Sequence, residues 1–221
     1  MSASGAVTSI LPIKQKHWFD KSIADLPFRT SYSQVPLGIR TQLWYADVLN
    51  LAGAVAAGFT TIPYRSNGPF DPYYKFGGHS PRYFSLFAAL YYNMACYHSK
   101  ITVNFKNQSL YADQQDESAS MDTLVGVTLV LPNSAFYSNV QSLSEDPLTR
   151  TALLTQAGQN VTLSLDWDYK ALRLAEHYSD IVQDDEMRSQ TNSNPSLEYL
   201  FYVWCVPANG LSSYNCSAHV Q

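Results

Sequence analysis

Charge is what this 221-residue sequence has least of. Asp, Glu, Lys and Arg together make up 14% of it, against about a quarter in an average soluble domain, and they sum to a net charge of −4. A chain with that balance has no overall attraction for nucleic acid. Cysteine is scarce too. Cys96, Cys205 and Cys216 are an odd number without metal-ligand spacing, so neither a disulfide framework nor a zinc site is expected, and a reducing compartment fits. No apolar run approaches transmembrane length, and no segment repeats. The opening MSASGAVTSILPIKQKHWFDK lacks the charged-then-apolar order of a secretory signal. Nucleophile-elbow, phosphate-loop and HExxH motifs are missing, so no catalysis is expected and no cofactor or metal. Three glycosylation sequons, at Asn107, Asn160 and Asn215, read as chance occurrences in a non-secreted chain.

Tyrosine, by contrast, is abundant, with 16 residues. A surface poor in charge and rich in Tyr points to coverage by other protein, because interfaces deplete Lys, Glu and Asp and enrich aromatics. The plainer alternative is a Tyr-rich sandwich under a Ser/Thr/Asn surface.

Strand patterns dominate from Arg40 onward, beginning with RTQLWYADVL. SKITVNF (99–105) alternates, with Ile101, Val103 and Phe105 on one face, and NVTLSLDWD (160–168) sets Val161, Leu163, Leu165 and Trp167 opposite polar residues. TLVGVTLVL (123–131) brings Val125, Val127, Leu129 and Leu131 together, and LEYLFYVWCV (197–206) is apolar on both faces, as for a strand covered on each side. FTTIPYRSN (59–67) carries Pro63, which pushes it to a sheet edge. Helix signals are few. Ser80-Pro81 reads as an N-cap and first helical residue, with Phe84, Phe87, Ala88, Tyr91 and Ala95 at helical spacing. Asp146-Pro147 predicts a short helix through LTRTALLT, and DYKALRLAEHY (168–178) is a weaker candidate. ADQQDESAS (112–120) reads as a surface loop. Several strands, connections alternating between tight and long, and one or two short helices describe an all-β chain, a single jelly-roll β-sandwich with short inserted helices. Residues 1–35, punctuated by Pro12 and Pro27, read as an extended N-terminal arm, with the jelly-roll domain over 36–221. The closing NCSAHVQ reads as the start of a last strand that stops short, which leaves closure of the roll open.

Residues 67–103 carry a more specific signal: Asn67, Asp71-Pro72, Gly77-Gly78-His79-Ser80-Pro81-Arg82, then Leu90-Tyr91-Tyr92-Asn93 and Ser99-Lys100-Ile101-Thr102-Val103. Asp-Pro fixes a turn, and the glycine pair permits positive φ where a side chain would not fit. In that order these elements resemble the capsid proteins of circular single-stranded DNA viruses that encode a replication initiator, the circovirus-like group. The likeness covers roughly residues 40–105, and Glu145-Asp146-Pro147 and Leu197–Pro207 resemble later parts more loosely.

The resemblance implies a coat protein that self-assembles into a small icosahedral shell, T=1 in its simplest form, around a circular single-stranded DNA genome. It implies a location in the virion, and in the host nucleus or cytoplasm during assembly, with other copies of the chain and the genome as partners. It also implies a packing role for the corner, where the aromatics of a turn-rich segment suggest Tyr73, Tyr74, Phe76 and Arg82 as subunit-interface residues, and nucleic-acid binding for which Lys14, Lys16, Lys21 and Arg29 are the candidate inner-face cations. The family's long Arg-rich arm has only a faint counterpart: residues 1–40 hold those four cations and Arg40 against Asp20 and Asp25, enough for modest phosphate neutralisation.

Other polar features have plainer readings beside functional ones. His79 is expected to make a turn-stabilising hydrogen bond rather than to act as a ligand or base. Asp166 and Asp168 share a strand face, as the paired carboxylates of a carbohydrate-binding or glycoside-hydrolysing jelly roll would, or they are simply the strand's polar side. Asp184-Asp185-Glu186 is either a solvated loop or a calcium site between subunits. A trimeric signalling sandwich would bring a secretory signal and paired cysteines.

Overall fold

The computed structural model describes residues 38–53, 58–75, 77–108, 122–137, 139–155, 158–208 and 214–221. All of its strands fall in the unit Thr41–Gln221; of the unit Met1–Arg40 only residues 38–40 are described. In chain order the strands are β1 (Asp47–Gly53), β2 (Thr60–Arg65), β3 (Asn93–Ala95), β4 (His98–Asn107), β5 (Thr123–Val130), β6 (Thr149–Leu154), β7 (Asn160–Asp168), β8 (Arg188–Gln190), β9 (Leu200–Pro207) and β10 (Tyr214–Val220). They form two antiparallel sheets, β1-β10-β4-β7 and β2-β9-β5-β6, with β3 and β8 paired separately. Setting that small pair aside, the eight remaining strands alternate between sheets in the order 1-8-3-6 and 2-7-4-5. This is the jelly-roll arrangement.

Alternation in the sequence decides which residues enter the core. Ile101, Val103 and Phe105 of β4 and Leu165 and Trp167 of β7 are buried from one sheet, and Val125, Val127, Leu129, Phe201 and Val203 from the other. β2 does lie at a sheet edge, as Pro63 requires. The closing segment forms a full strand, β10. It sits between β1 and β4, with Cys216, Ala218 and Val220 buried, and it closes the roll. Its inward residues are small, so the sequence pattern understates it.

Three helix expectations change. Residues 149–154 are not helical. They form β6, which supplies the edge partner that β5 needs, and the helix here lies upstream, ending before Asp146, whose side chain instead accepts the Leu148 N–H at 2.8 Å. That upstream helix, Val140–Glu145, is called α2, and α1 is Phe84–Ala88. Ser80 does not cap α1. Tyr83 takes the N-cap position with φ 68°, Ser80 donates to the Phe70 carbonyl at 2.8 Å, and Ala95 belongs to β3. The weak third candidate is a single turn and a half, α3 (Tyr169–Arg173), capped by Asp168 and followed by a 3₁₀ turn at Tyr178–Val182. Leu131 falls just past β5 and is exposed, and the polar stretch 112–120 lies outside the described residues.

Candidate assembly surface

Strand order sends the connections to opposite ends of the sandwich. Residues 54–59, 108–122, 155–159 and 208–213 join strands at one end, and the longer 66–97, 131–148 and 169–199 at the other. The long connections begin at a rigid corner. Asn67, fully buried, donates to the Leu197 carbonyl at 2.7 Å and accepts from the Tyr199 N–H at 3.2 Å, so its amide stands in for a strand neighbour. Arg65 pairs with Glu198 at 2.5 Å, donates to the carbonyls of Asp71 (2.9 Å) and Tyr73 (3.1 Å), and lies over the Tyr74 ring. That one guanidinium fixes the turn made by Asp71-Pro72.

The two glycines act differently. Gly77 does take a positive φ of 100°, whereas Gly78 is needed for close approach, since a Cβ there would collide with Tyr73 and crowd Asp71. His79 is held by ring stacking on Tyr45, with centroids 4.5 Å apart, rather than by the expected hydrogen bond. Phe70 packs edge-on against the buried Phe84 of α1.

Beyond the corner, apolar side chains point outward. Leu86 on α1, Tyr83 at its N-cap and Leu90 just past its end are exposed while Phe84 is buried, and Tyr92 follows at 68% exposure. On the 169–199 connection Leu174 is 89% exposed and Val182 is also exposed. These two connections are tied together by the β3–β8 pairing and by the Thr191 N–H donating to Tyr92. Exposed apolar residues on anchored loops are candidates for a protein contact surface.

The four corner residues named from the sequence have separate surroundings. Tyr74 and Arg82 are exposed, the latter over the Tyr83 ring. Tyr73 is half-buried, its ring 5.6 Å from Tyr64 and packed against the core. Phe76, like Lys14, Lys16, Lys21 and Arg29, lies outside the described residues. Sequence reasoning missed Leu86, Leu90 and Leu174. The first two carried a signal, an apolar i, i+4 spacing in a segment whose other apolar positions already share one face; Leu174 carried none.

The acidic residues are engaged within the chain. Asp168 accepts from the Ala171 N–H at 3.0 Å and the Tyr178 hydroxyl at 2.7 Å. Burial works to raise its carboxyl, but hydrogen bonds from Tyr178 and the backbone of Ala171 and Lys170 outweigh it and hold the group below the ordinary carboxylate value. Asp166 instead faces His98 at 3.6 Å. With both oxygens of Asp168 committed to anchoring α3 and the 3₁₀ turn, the pair is poorly arranged to serve as acid and nucleophile. In the acidic knot, Arg173 bridges Asp184 (3.2 Å) and Glu186 (2.9 Å), and Arg188 pairs with Asp185 at 2.6 Å. Asp185 and Glu186 remain exposed to solvent, so the knot is a solvated loop whose carboxylates each have an arginine partner. Among the described residues no group of three His, Cys, Asp or Glu side chains is arranged to hold a metal ion.

No family model and no curated protein matches this chain. Among solved structures, a chain titled Desmodium yellow mottle tymovirus aligns over 86% of this chain and 93% of its own at 8% identity, with a TM-score of 0.32. A likeness that distant carries no argument about function.

Proposed function

We propose that this chain is a viral capsid protein that tiles with copies of itself into a small icosahedral shell, T=1 in the simplest case, enclosing a circular single-stranded DNA genome. The observation that carries the reading is the apolar fringe on the anchored long connections, with Tyr83, Leu86, Leu90, Tyr92 and Leu174 facing solvent in the single protomer. The closed eight-stranded roll and the likeness of residues 40–105 to circovirus-like coat proteins support it. Heterologous contacts repeated with rotational closure make a shell without any new chemistry. In this reading Tyr74 and Arg82 extend the contact surface, and residues 1–35 form an arm whose Lys14, Lys16, Lys21 and Arg29 meet phosphates inside the virion.

Light scattering and electron microscopy of the purified protein across salt concentrations test it. The expected result is closed particles, lost when Leu86→Asp and Leu90→Asp are combined, with the far-ultraviolet circular dichroism of the protomer retained. A lone protomer in every salt condition overturns the reading. For the genome, four phosphate contacts predict that affinity for single-stranded DNA falls with salt at a log–log slope of about −3. A slope unchanged on replacing the four cations removes them from that role.

A further inference from the structure

Each of the two sheets contributes one cysteine to the shared core. Cys205 lies on β9, in register with Thr60 of β2 and Val125 of β5. Cys216 lies on β10, opposite Leu51 of β1 and Asn107 of β4. Both side chains are fully buried in the same hydrophobic core, one contributed by each sheet. β9 and β10 approach each other across the core, and the Cys205 thiol is placed to donate a hydrogen bond toward the Cys216 sulfur. An odd cysteine count gave no reason to expect such a pair.

We propose that Cys205 and Cys216 close into an intramolecular disulfide, joining the two sheets, when the protein meets an oxidised small-molecule disulfide. The third thiol stands apart. Cys96 donates to the His98 carbonyl at 3.3 Å, and burial pushes it up to about 12 although that hydrogen bond opposes the shift, so it is a poor nucleophile near neutral pH. Within the pair, the hydrogen bond from Cys205 lowers the Cys216 thiol, outweighing the effect of burial, while Cys205 is raised. Cys216 is therefore the attacking group. As a thiolate it displaces one half of the small disulfide as a thiolate, forming a mixed disulfide. Cys205, on losing its proton, attacks the Cys216 sulfur and releases the second half. Two protein thiols are oxidised to one disulfide and one small disulfide is reduced to two thiols. Because both groups are buried, the exchange proceeds through transient parting of the sheet ends, and it is slow compared with that of an exposed thiol.

The test is incubation of the full chain with oxidised glutathione, followed by denaturation, alkylation of remaining thiols and digestion without reductant. Chymotrypsin is suitable because Leu211 and Tyr214 lie between the two cysteines. The expected result is a linked Cys205–Cys216 peptide that reductant releases, with Cys96 alkylated. The oxidised protein should melt about 5–10 °C higher than the reduced protein, and the shift should persist in Cys96→Ser and vanish in Cys216→Ala. Should the alanine variant fail to fold, the peptide map decides alone. Alkylation of all three cysteines after oxidation, or a linkage through Cys96, overturns the proposal. Neither outcome depends on whether the protein forms shells.

Discussion

The outward faces of the two sheets are built from different materials. On β4 and β7 the outward side chains are Lys100, Asn104, Lys106, Thr162, Ser164 and Asp166, all exposed, with one cross-strand hydrogen bond from Asn104 to Thr162 at 3.1 Å. On β5 and β9 the equivalent side carries Trp204, fully buried although it points away from the core between the sheets. Its indole lies over Gly126, where any Cβ would overlap the ring, and its N–H donates to Thr128 at 2.9 Å; Thr128 in turn shares a 3.0 Å hydrogen bond with Thr149. Phe59 packs edge-on against Trp204, and Phe136 stacks on Tyr202 with centroids 4.8 Å apart. One face is wet; the other is the floor of a second, smaller core. The tyrosine-rich, charge-poor composition thus has two sources, a Ser/Thr/Asn surface on one sheet and covered aromatic surface on the other.

That contrast breaks most sharply at Trp204. Trp204→Ala should cost about 3–5 kcal/mol in urea unfolding, whereas Asn104→Ala on the opposite outward face should fall within about 0.5 kcal/mol. Equal costs would mean that the two faces are covered alike. Next comes Thr128→Val, which keeps the shape but strips the Trp204 N–H of its acceptor; a loss of about 1–3 kcal/mol is expected, with little added when Thr149→Val is combined, since the two hydroxyls form one chain of hydrogen bonds. A smaller loss than at Thr128 is expected at the rim of the wet face. Asp168→Ala removes an N-cap and should cost about 1 kcal/mol. The same carboxylate gives a pH signature. Its folded-state pKa lies below the unfolded value, so its contribution is present above the unfolded value and is lost as pH falls through the lowered folded one. Acid unfolding of Asp168→Ala should accordingly be shallower than that of the wild type in that strongly acidic window, and parallel curves would assign the acid sensitivity elsewhere.

The same two faces explain which parts of the fold could be read from sequence. β4 and β7 alternate because water solvates one side, and period two is then visible in the residues. β9 was recognisable as covered on both sides because Leu200, Tyr202, Trp204 and Val206 interleave with Phe201, Val203 and Cys205. Over β6 the Asp146-Pro147 start signal suggests a helix, and only pairing with β5 selects the strand. Propensity over six residues is weaker than a missing sheet neighbour. At the candidate surface the turn chemistry of Asp71-Pro72 and Gly77 was legible, because backbone geometry demands those residue types. Whether an aromatic in that corner faces solvent or a neighbouring ring was not, since Tyr73 and Tyr74 are chemically identical and only the placement of Arg65 and Tyr64 separates them.

The position of β10 has a consequence for biosynthesis. Val220 is in register with both Asp47 and Val103, and Gln221 exchanges backbone hydrogen bonds with Thr102 at 2.7 and 2.8 Å. The middle of one sheet is therefore delivered after every strand that flanks it. A nascent polypeptide still lacking residues 214–220 exposes the inner edges of β1 and β4 to solvent, and the ribosome must translate past them before the roll can shut. A chain halted short of that point leaves one sheet without its central strand, so strand placement ties completion of the core to completion of synthesis.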